Sequence, residues 1–287
     1  MSISHNEYVG WWHQAHSFVR GNWRNSEETS PMILAKSCHD MDIIQWLLSG
    51  GQEGKEKRCR RVSSFGSTGH FRPECAPPGA AMRCLDGCGA KANCIFDAEK
   101  IYVFRTYGCV APEAWPTASI TEEMTPESVY RALREGPYGR CVYHCDNDVV
   151  DHQIVNMEFD GGVTVNFTMC GFTSKFSRET KIYGTRGDIR ADMTNNKLYI
   201  TTFGQPTEVI DVTAYTQDFS GHGGGDNRML EEFLSYVRGD CPMSGSLTTI
   251  DTSIQSHLMA LAAEESRLAG GHMVDMDKFT EIFISKK

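Results

Sequence analysis

The sequence predicts an α+β fold, and three observations carry that prediction. First, apolar residues alternate with polar ones through the middle of the chain: Val155, Met157 and Phe159, then Val163, Val165, Phe167 and Met169, on either side of Asp160-Gly161-Gly162. This is a β-hairpin with one apolar face. Second, segments with helix-start chemistry and 3.6-residue periodicity lie before and after this run, at 31–50 and 252–268,. Third, no strand-helix-strand alternation occurs, so the strands form a mostly antiparallel sheet and no doubly wound parallel one.

Taken in order, residues 3–12 read as a strand and HQAHSFVRGNWR at 13–24 as a polar and aromatic loop. The stretch PMILAKSCHDMDIIQWLLSG at 31–50 reads as one helix, with Ser30 as N-cap, Pro31 at its first position and Gly50-Gly51 ending it. On a continuous helix Lys36, His39 and Ile43 share one face, while Leu34, Cys38, Met41 and Leu48 line another fit for burial. Asp40 follows Lys36 by one turn and Asp42 follows His39 by three residues, so each cation has a carboxylate in reach. An ammonium and an imidazole projecting together outline a proton-transfer site. A surface helix with ordinary ion pairs has the same spacing. From the preceding loop, Arg20, Trp23 and Arg24 are placed to offer planar donors and a stacking face to a polar ligand.

A charged connection at 52–61 leads to a strand at 61–68, which ends in Gly69-His70-Phe71-Arg72-Pro73 and a Pro/Gly-marked loop to Gly79,. Cys84, Cys88 and Cys94 follow with C-x3-C-x5-C spacing, and Cys75 and His70 are candidate fourth partners. Thiolate and imidazole ligands suit zinc, although the spacing matches no standard zinc knuckle or iron-sulfur pattern. Buried reduced thiols are the competing reading. Thr125-Pro126 caps a short helix carrying Val129 and Leu133 and stopped by Gly136. After the hairpin, strands are expected at 179–183, at 188–192 and, past the Asn195-Asn196 turn, at 198–203. SGHGGGD at 220–226 reads as a loop, with Asp226 capping a helix that has Leu230, Phe233, Leu234 and Val237 on one stripe and Gly239 at its end. The last long helix turns Ile254, Leu258, Leu261 and Leu268 inward, and 273–284 closes the chain as a strand.

Composition narrows the function classes. With 287 residues and 40% hydrophobic content the chain has material for a sizeable core,. Formal net charge is -9 and the 28 Lys and Arg are scattered. No basic stripe exists to follow a nucleic acid or an anionic membrane. Neither a signal-peptide pattern nor a run of ~20 apolar residues is present, so a soluble cytoplasmic chain is expected. Eleven cysteines, odd in number and irregular in spacing, fit free thiols in a reducing compartment,. The glycine-rich run at 221–225 is no dinucleotide fingerprint, because G-x-G-x-x-G and its βαβ setting are missing. It is no lipase oxyanion loop either, since no G-x-S-x-G accompanies it. As a functional loop it brings His222 to a ligand beside Lys36 and His39.

Five stretches together resemble the C-terminal domain of the Gfo/Idh/MocA oxidoreductases: SFVRGNWR at 17–24, AKSCHDMDIIQWL at 35–47, RCLDGC at 83–88, GTRGDI at 184–189, and SGHGGGD. The resemblance implies an open, mostly antiparallel sheet with helices packed on one face, the other face commonly serving as a subunit interface, so that a homodimer or higher oligomer is expected. It implies a sugar, cyclitol or related polyol as substrate, NAD or NADP as cofactor of a full-length relative, and no nucleic acid or membrane partner. HDMDIIQWL is similar to the family's helix motif, and His39 matches the histidine that exchanges the substrate hydroxyl's proton. Where many members carry an acid four residues before that histidine, this chain has Ala35, and Lys36 resembles the lysine of a subgroup. A cation beside the reacting oxygen stabilises a developing alkoxide. Arg20, Trp23, Asp40 and His222 are the accompanying substrate-binding candidates.

Family members begin with a Rossmann domain that 1–287 lacks. The expectation is therefore one substrate-binding and oligomerisation domain that neither binds NAD(P) nor turns over alone. A non-catalytic sugar-binding or dimerisation module, and a thiol or zinc module centred on Cys84, Cys88 and Cys94, are the competing readings.

Overall fold

The computed structural model describes residues 1–49, 57–104, 115–216, 218, 220–240 and 250–285. Strand β1 (Ser2–Tyr8) lies at the middle of a nine-stranded sheet. A short turn of helix, α1 (Trp11–His13), runs into a π-helical segment at Gln14–Arg20. Helices α2 (Met32–Ala35) and α3 (Cys38–Ser49) follow, then β2 (Cys59–Ser67), α4 (Pro126–Glu135) and the hairpin of β3 (His152–Phe159) and β4 (Val163–Cys170). Next come β5 (Ser177–Tyr183), β6 (Gly187–Asp192), β7 (Lys197–Thr202) and β8 (Glu208–Asp211). Helices α5 (Ser220–Arg238) and α6 (Ile250–Leu268), the two-residue β9 (Val274–Asp275) and α7 (Met276–Ser285) complete the order.

Spatially the strands run β8-β7-β6-β5-β1-β4-β3-β2-β9. Among the described strands every pairing is antiparallel except β1 with β4. The expected α+β class and mostly antiparallel sheet are therefore present. The hairpin falls where alternation placed it: Val155, Met157, Phe159, Val163, Val165, Phe167 and Met169 are all buried against the helices. A bulge between Cys59 and Arg61 shifts the register of β2, which lets Cys59 and Val62 both face inward,. Helix α6 packs across β2 and against α3, using Leu258, Met259, Ala262 and Ala263. On the opposite face Phe65 and Ile154 stay exposed.

Several elements depart from the sequence expectation. The stretch at 31–50 is two helices, because the backbone turns at Lys36-Ser37; Pro31 rather than Ser30 occupies the N-cap, without a side-chain bond, and Gly50-Gly51 lie outside the described residues. The loop expected at 13–24 is mostly helical, and Ala15, His16, Phe18, Val19 and Arg20 are buried in it. Helix α5 spans Ser220–Arg238, so the glycine run falls within its bounds and not in a preceding loop, with Gly224 at φ 86 interrupting the helical backbone. Its Leu230, Phe233, Leu234 and Val237 are exposed. In α6 Leu258 turns inward, whereas Ile254 and Leu268 are exposed. The closing strand is reduced to β9, and most of 273–284 is helix. Helix α4 meets its expectation, with the Thr125 hydroxyl accepting from the Ser128 N–H at 3.2 Å,.

Candidate functional site

Alternation in β1 turns Ile3, His5 and Glu7 toward the helices, all of them 2% exposed or less. The antiparallel register with β5 sets Thr180 opposite His5 and Arg178 opposite Glu7. The turn between α2 and α3 delivers Lys36, and the first turn of α3 delivers Asp40. These residues form one chain of contacts: the Lys36 ammonium pairs with Glu7 at 3.1 Å, Arg178 pairs with Glu7 at 2.8 Å and with Asp40 at 2.6 Å, and Asp40 meets His5 at 2.9 Å. The other ring nitrogen of His5 lies 2.7 Å from the Thr180 hydroxyl.

Two cations and two carboxylates balance in this network, as burial of ions requires. The two acids are driven apart. Burial and then the neighbouring Asp40 charge push Glu7 above the usual carboxylate range, against the pull of Lys36 and Arg178. Asp40 is held below that range: burial opposes its ionisation, but the bonds from His5 and Arg178 outweigh it,.

Toward solvent, the Lys36 ammonium lies 5.0 Å from the Phe176 ring centroid,. His13 stands edge-on to Phe176 at 5.2 Å and to Trp115 at 4.7 Å. Trp12 and His16 also reach Trp115. Burial first, then the Lys36 charge, lowers His13 to about 3, and burial with Arg20 lowers His16 to about 3. Both imidazoles are therefore neutral at pH 7. His16 bonds the Tyr102 hydroxyl at 2.8 Å and lies 3.2 Å from the Ser119 hydroxyl. Phe176 and Trp115 are 56% and 41% exposed, which leaves ring surface free beside the ammonium.

The sequence-derived candidates fare unevenly. Lys36 is tucked onto Glu7 and not paired with Asp40, while His39, three residues on, is exposed. A turn at Lys36-Ser37 separates them, with Lys36 closing α2 and His39 in the first turn of α3. Asp40 is fully buried and held by Arg178 and His5, which makes it a support and not a substrate contact. Arg20 is also fully buried, donating to the Arg140 and Phe96 carbonyls at 2.7 Å each. It is therefore not placed to offer its donors to a ligand from a surface loop. Trp23 is exposed, and Arg24 pairs with Asp146. Asp42 accepts from the Ser256 hydroxyl at 3.3 Å. The backbone of His222 lies in α5, but its side chain lies outside the described residues.

Sequence reasoning missed His5, Glu7, Arg178, Phe176, His13 and Trp115. The ionisable pair at alternate positions of a strand whose third inward residue is Ile3 was a local signal for His5 and Glu7. Arg178 had none, since only strand register brings it to Glu7.

Cys84, Cys88 and Cys94 line one small cavity, and its fourth cysteine is Cys141 rather than the expected Cys75 or His70. As they stand, no three His, Cys, Asp or Glu among the described residues are disposed to hold a metal ion. All described cysteines are free.

Comparison with known proteins defines the class first: the chain matches the C-terminal α/β domain of an oxidoreductase family. The sequence model described as "Oxidoreductase family, C-terminal alpha/beta domain" matches residues 1–275, and the chain belongs to that family, Gfo/Idh/MocA. None of the curated protein sequences matches it. Among solved structures it is similar to an oxidoreductase domain protein from Kribbella flavida, with TM-score 0.56, 14% identity, and coverage of 96% of this chain and 59% of that one. It is similar to an inositol dehydrogenase homolog complexed with NAD+ from Azotobacter vinelandii, with TM-score 0.55, 12% identity, and coverage of 96% and 57%. It is also similar to the super-repressor mutant of Gal80p from Saccharomyces cerevisiae, with TM-score 0.55, 12% identity, and coverage of 97% and 58%. The chain thus spans less than two thirds of each of these structures. At such identities the likeness establishes the fold alone.

Proposed function

We propose that this chain is the substrate-binding and proton-relay domain of an NAD(P)-dependent oxidoreductase acting on a sugar, cyclitol or related polyol. The observation that carries the reading is the Lys36 ammonium, anchored on buried Glu7 and set against the exposed ring of Phe176. An apolar ring face suits the C–H face of a polyol, and an anchored ammonium suits its hydroxyl oxygens. Lys36 orients the reacting hydroxyl, and exposed His39 takes its proton. The Arg178–Asp40–His5 chain holds the network beneath them.

The described residues do not fit a nicotinamide dinucleotide. Their one parallel strand pair, β1 with β4, has no glycine-rich turn leading into a helix,. In this proposal the hydride acceptor is bound by a further, Rossmann-type domain. Isothermal calorimetry is expected to show no tight binding of NAD or NADP to this chain, and myo-inositol binding that weakens at least tenfold in Lys36→Met. With a Rossmann domain supplied in cis, turnover is expected to appear and to be lost in His39→Ala. Retained turnover in that variant removes the proton-relay role.

A second reading is a non-catalytic sugar-binding or dimerisation module that uses the exposed sheet face, on which Phe65 and Ile154 lie. A monomer by light scattering counts against the dimerisation form of it.

A further inference from the structure

Between β2 and β3 the chain forms a lobe of turns and short helices at 73–104 and 115–151, whose described part holds six cysteines. At its centre is a cavity of about 20 Å³, lined by Cys84, Cys88, Cys94, Cys141, Arg20 and Asp97 among others. The N–H of Cys84 donates to the Gly139 carbonyl and that of Cys141 to the Met82 carbonyl, both at 2.9 Å, so two separate segments are clamped together beside the cavity. Gly87, with φ 70, makes the turn that brings Cys88 back to it,.

Two buried ionisable groups share the cavity wall without pairing with each other. Arg20 is fully buried and cannot shed its proton,. Its Nε and Nη2 are spent on the Arg140 and Phe96 carbonyls and on the Cys84 sulfur at 3.5 Å, while Nη1 has no partner. Among the described residues no carboxylate forms an ion pair with it. Asp97, on the same wall and 2% exposed, has an equally unpartnered Oδ2. A buried guanidinium with an unbonded nitrogen is costly, and neutral thiols give it no charge to meet. Four thiols that bind a soft dication present sulfur anions for it to meet: each gives its proton to solvent, and M²⁺ with four R–SH becomes [M(S–R)₄]²⁻ with release of 4 H⁺. The volume is that of about one water-sized sphere, which suits a single ion and excludes a polynuclear cluster.

We propose that Cys84, Cys88, Cys94 and Cys141 close on one zinc ion as a structural tetrathiolate site, with Arg20 offsetting one of its two negative charges. The thiols line the cavity without converging on one point, so binding requires them to reorient, which side-chain rotation between staggered positions allows. Arg20 ends the same π-helical segment that carries His16 and follows His13, so the ion fixes the aromatic wall beside Lys36 from behind. The site is independent of the oxidoreductase reading.

The test uses the whole chain, purified under reducing conditions. Elemental analysis is expected to find about one zinc per chain, the stoichiometry of a closed structural site. Thiol alkylation with peptide mapping is expected to leave Cys84, Cys88, Cys94 and Cys141 unlabelled until a chelator is added, with Cys38 and Cys170 labelled equally either way. Cobalt substitution is expected to give a thiolate-to-metal charge-transfer band that is lost in Cys84→Ser. Absence of stoichiometric metal, disulfides among these four, or labelling indifferent to chelation overturns the proposal. Elemental analysis and labelling both use the unmodified chain, so misfolding of the Cys84→Ser variant would not alter either result.

Discussion

The Lys36 ammonium and the Glu7 carboxylate lie 3.1 Å apart with only 11% and 1% of their side chains exposed, and Arg178 meets the same carboxylate from the neighbouring strand. One acid at an inward position of the central strand thus holds two cations, one from the helical junction and one from β5. Removing it leaves both uncompensated. Glu7→Ala is expected to destabilise the fold by ~3–5 kcal/mol in urea denaturation, the cost of breaking a buried pair. The double variant Glu7→Leu/Lys36→Met is expected to be more stable than Glu7→Ala. Equal loss in both would mean that packing, not charge, is what Glu7 supplies.

Acid sensitivity follows from the two buried imidazoles. His13 and His16 are lowered from 6.5 to about 3, so between these values the unfolded chain binds more protons than the folded one. Their contribution is complete above pH 6.5 and is lost as pH falls toward 3, at roughly 1.4 kcal/mol per pH unit for each histidine. Glu7, raised above 4.5, acts in the opposite sense, its contribution being lost as pH rises through its folded value. Denaturation midpoints at pH 7.5, 6 and 5 are expected to fall steadily, and His16→Asn is expected to flatten the slope. A flat profile in the parent chain would refute the neutral-imidazole assignment.

The end of α4 is tightly closed. A Cβ on Gly139 would run into the Leu133 carbonyl oxygen, a backbone atom that cannot swing aside. Gly139→Ala is expected to cost ~1–3 kcal/mol as an overpacked site. It would also displace Cys141, and thermal melting with thiol accessibility reads both effects.

At the other end of the same helix, Thr125→Ala removes the acceptor of the Ser128 N–H and is expected to cost ~1 kcal/mol. Thr125→Ser is expected to restore most of it. A neutral Thr125→Ala would show that Pro126 and the buried face of Val129 and Leu133 suffice to start the helix.

The sequence by itself determined the α+β class, the β3–β4 hairpin, the capped helix α4 and the family, because each rests on contacts between residues close in the chain. Periodicity of two, an N-cap three residues from its donor and a contiguous motif are local patterns. It also singled out Lys36, His39 and the cysteines as candidates, by residue type. Tertiary structure alone decided who pairs with whom. Arg178 reaches Glu7 and Asp40 only through the register of β5 on β1, and Cys141 joins Cys84 only because two distant segments clamp together. It also sent Arg20 inside and left His39 out. The helix break at Lys36-Ser37 had no proline or glycine to announce it. At that turn Lys36 meets a carboxylate on another strand, a contact that no run of neighbouring residues encodes.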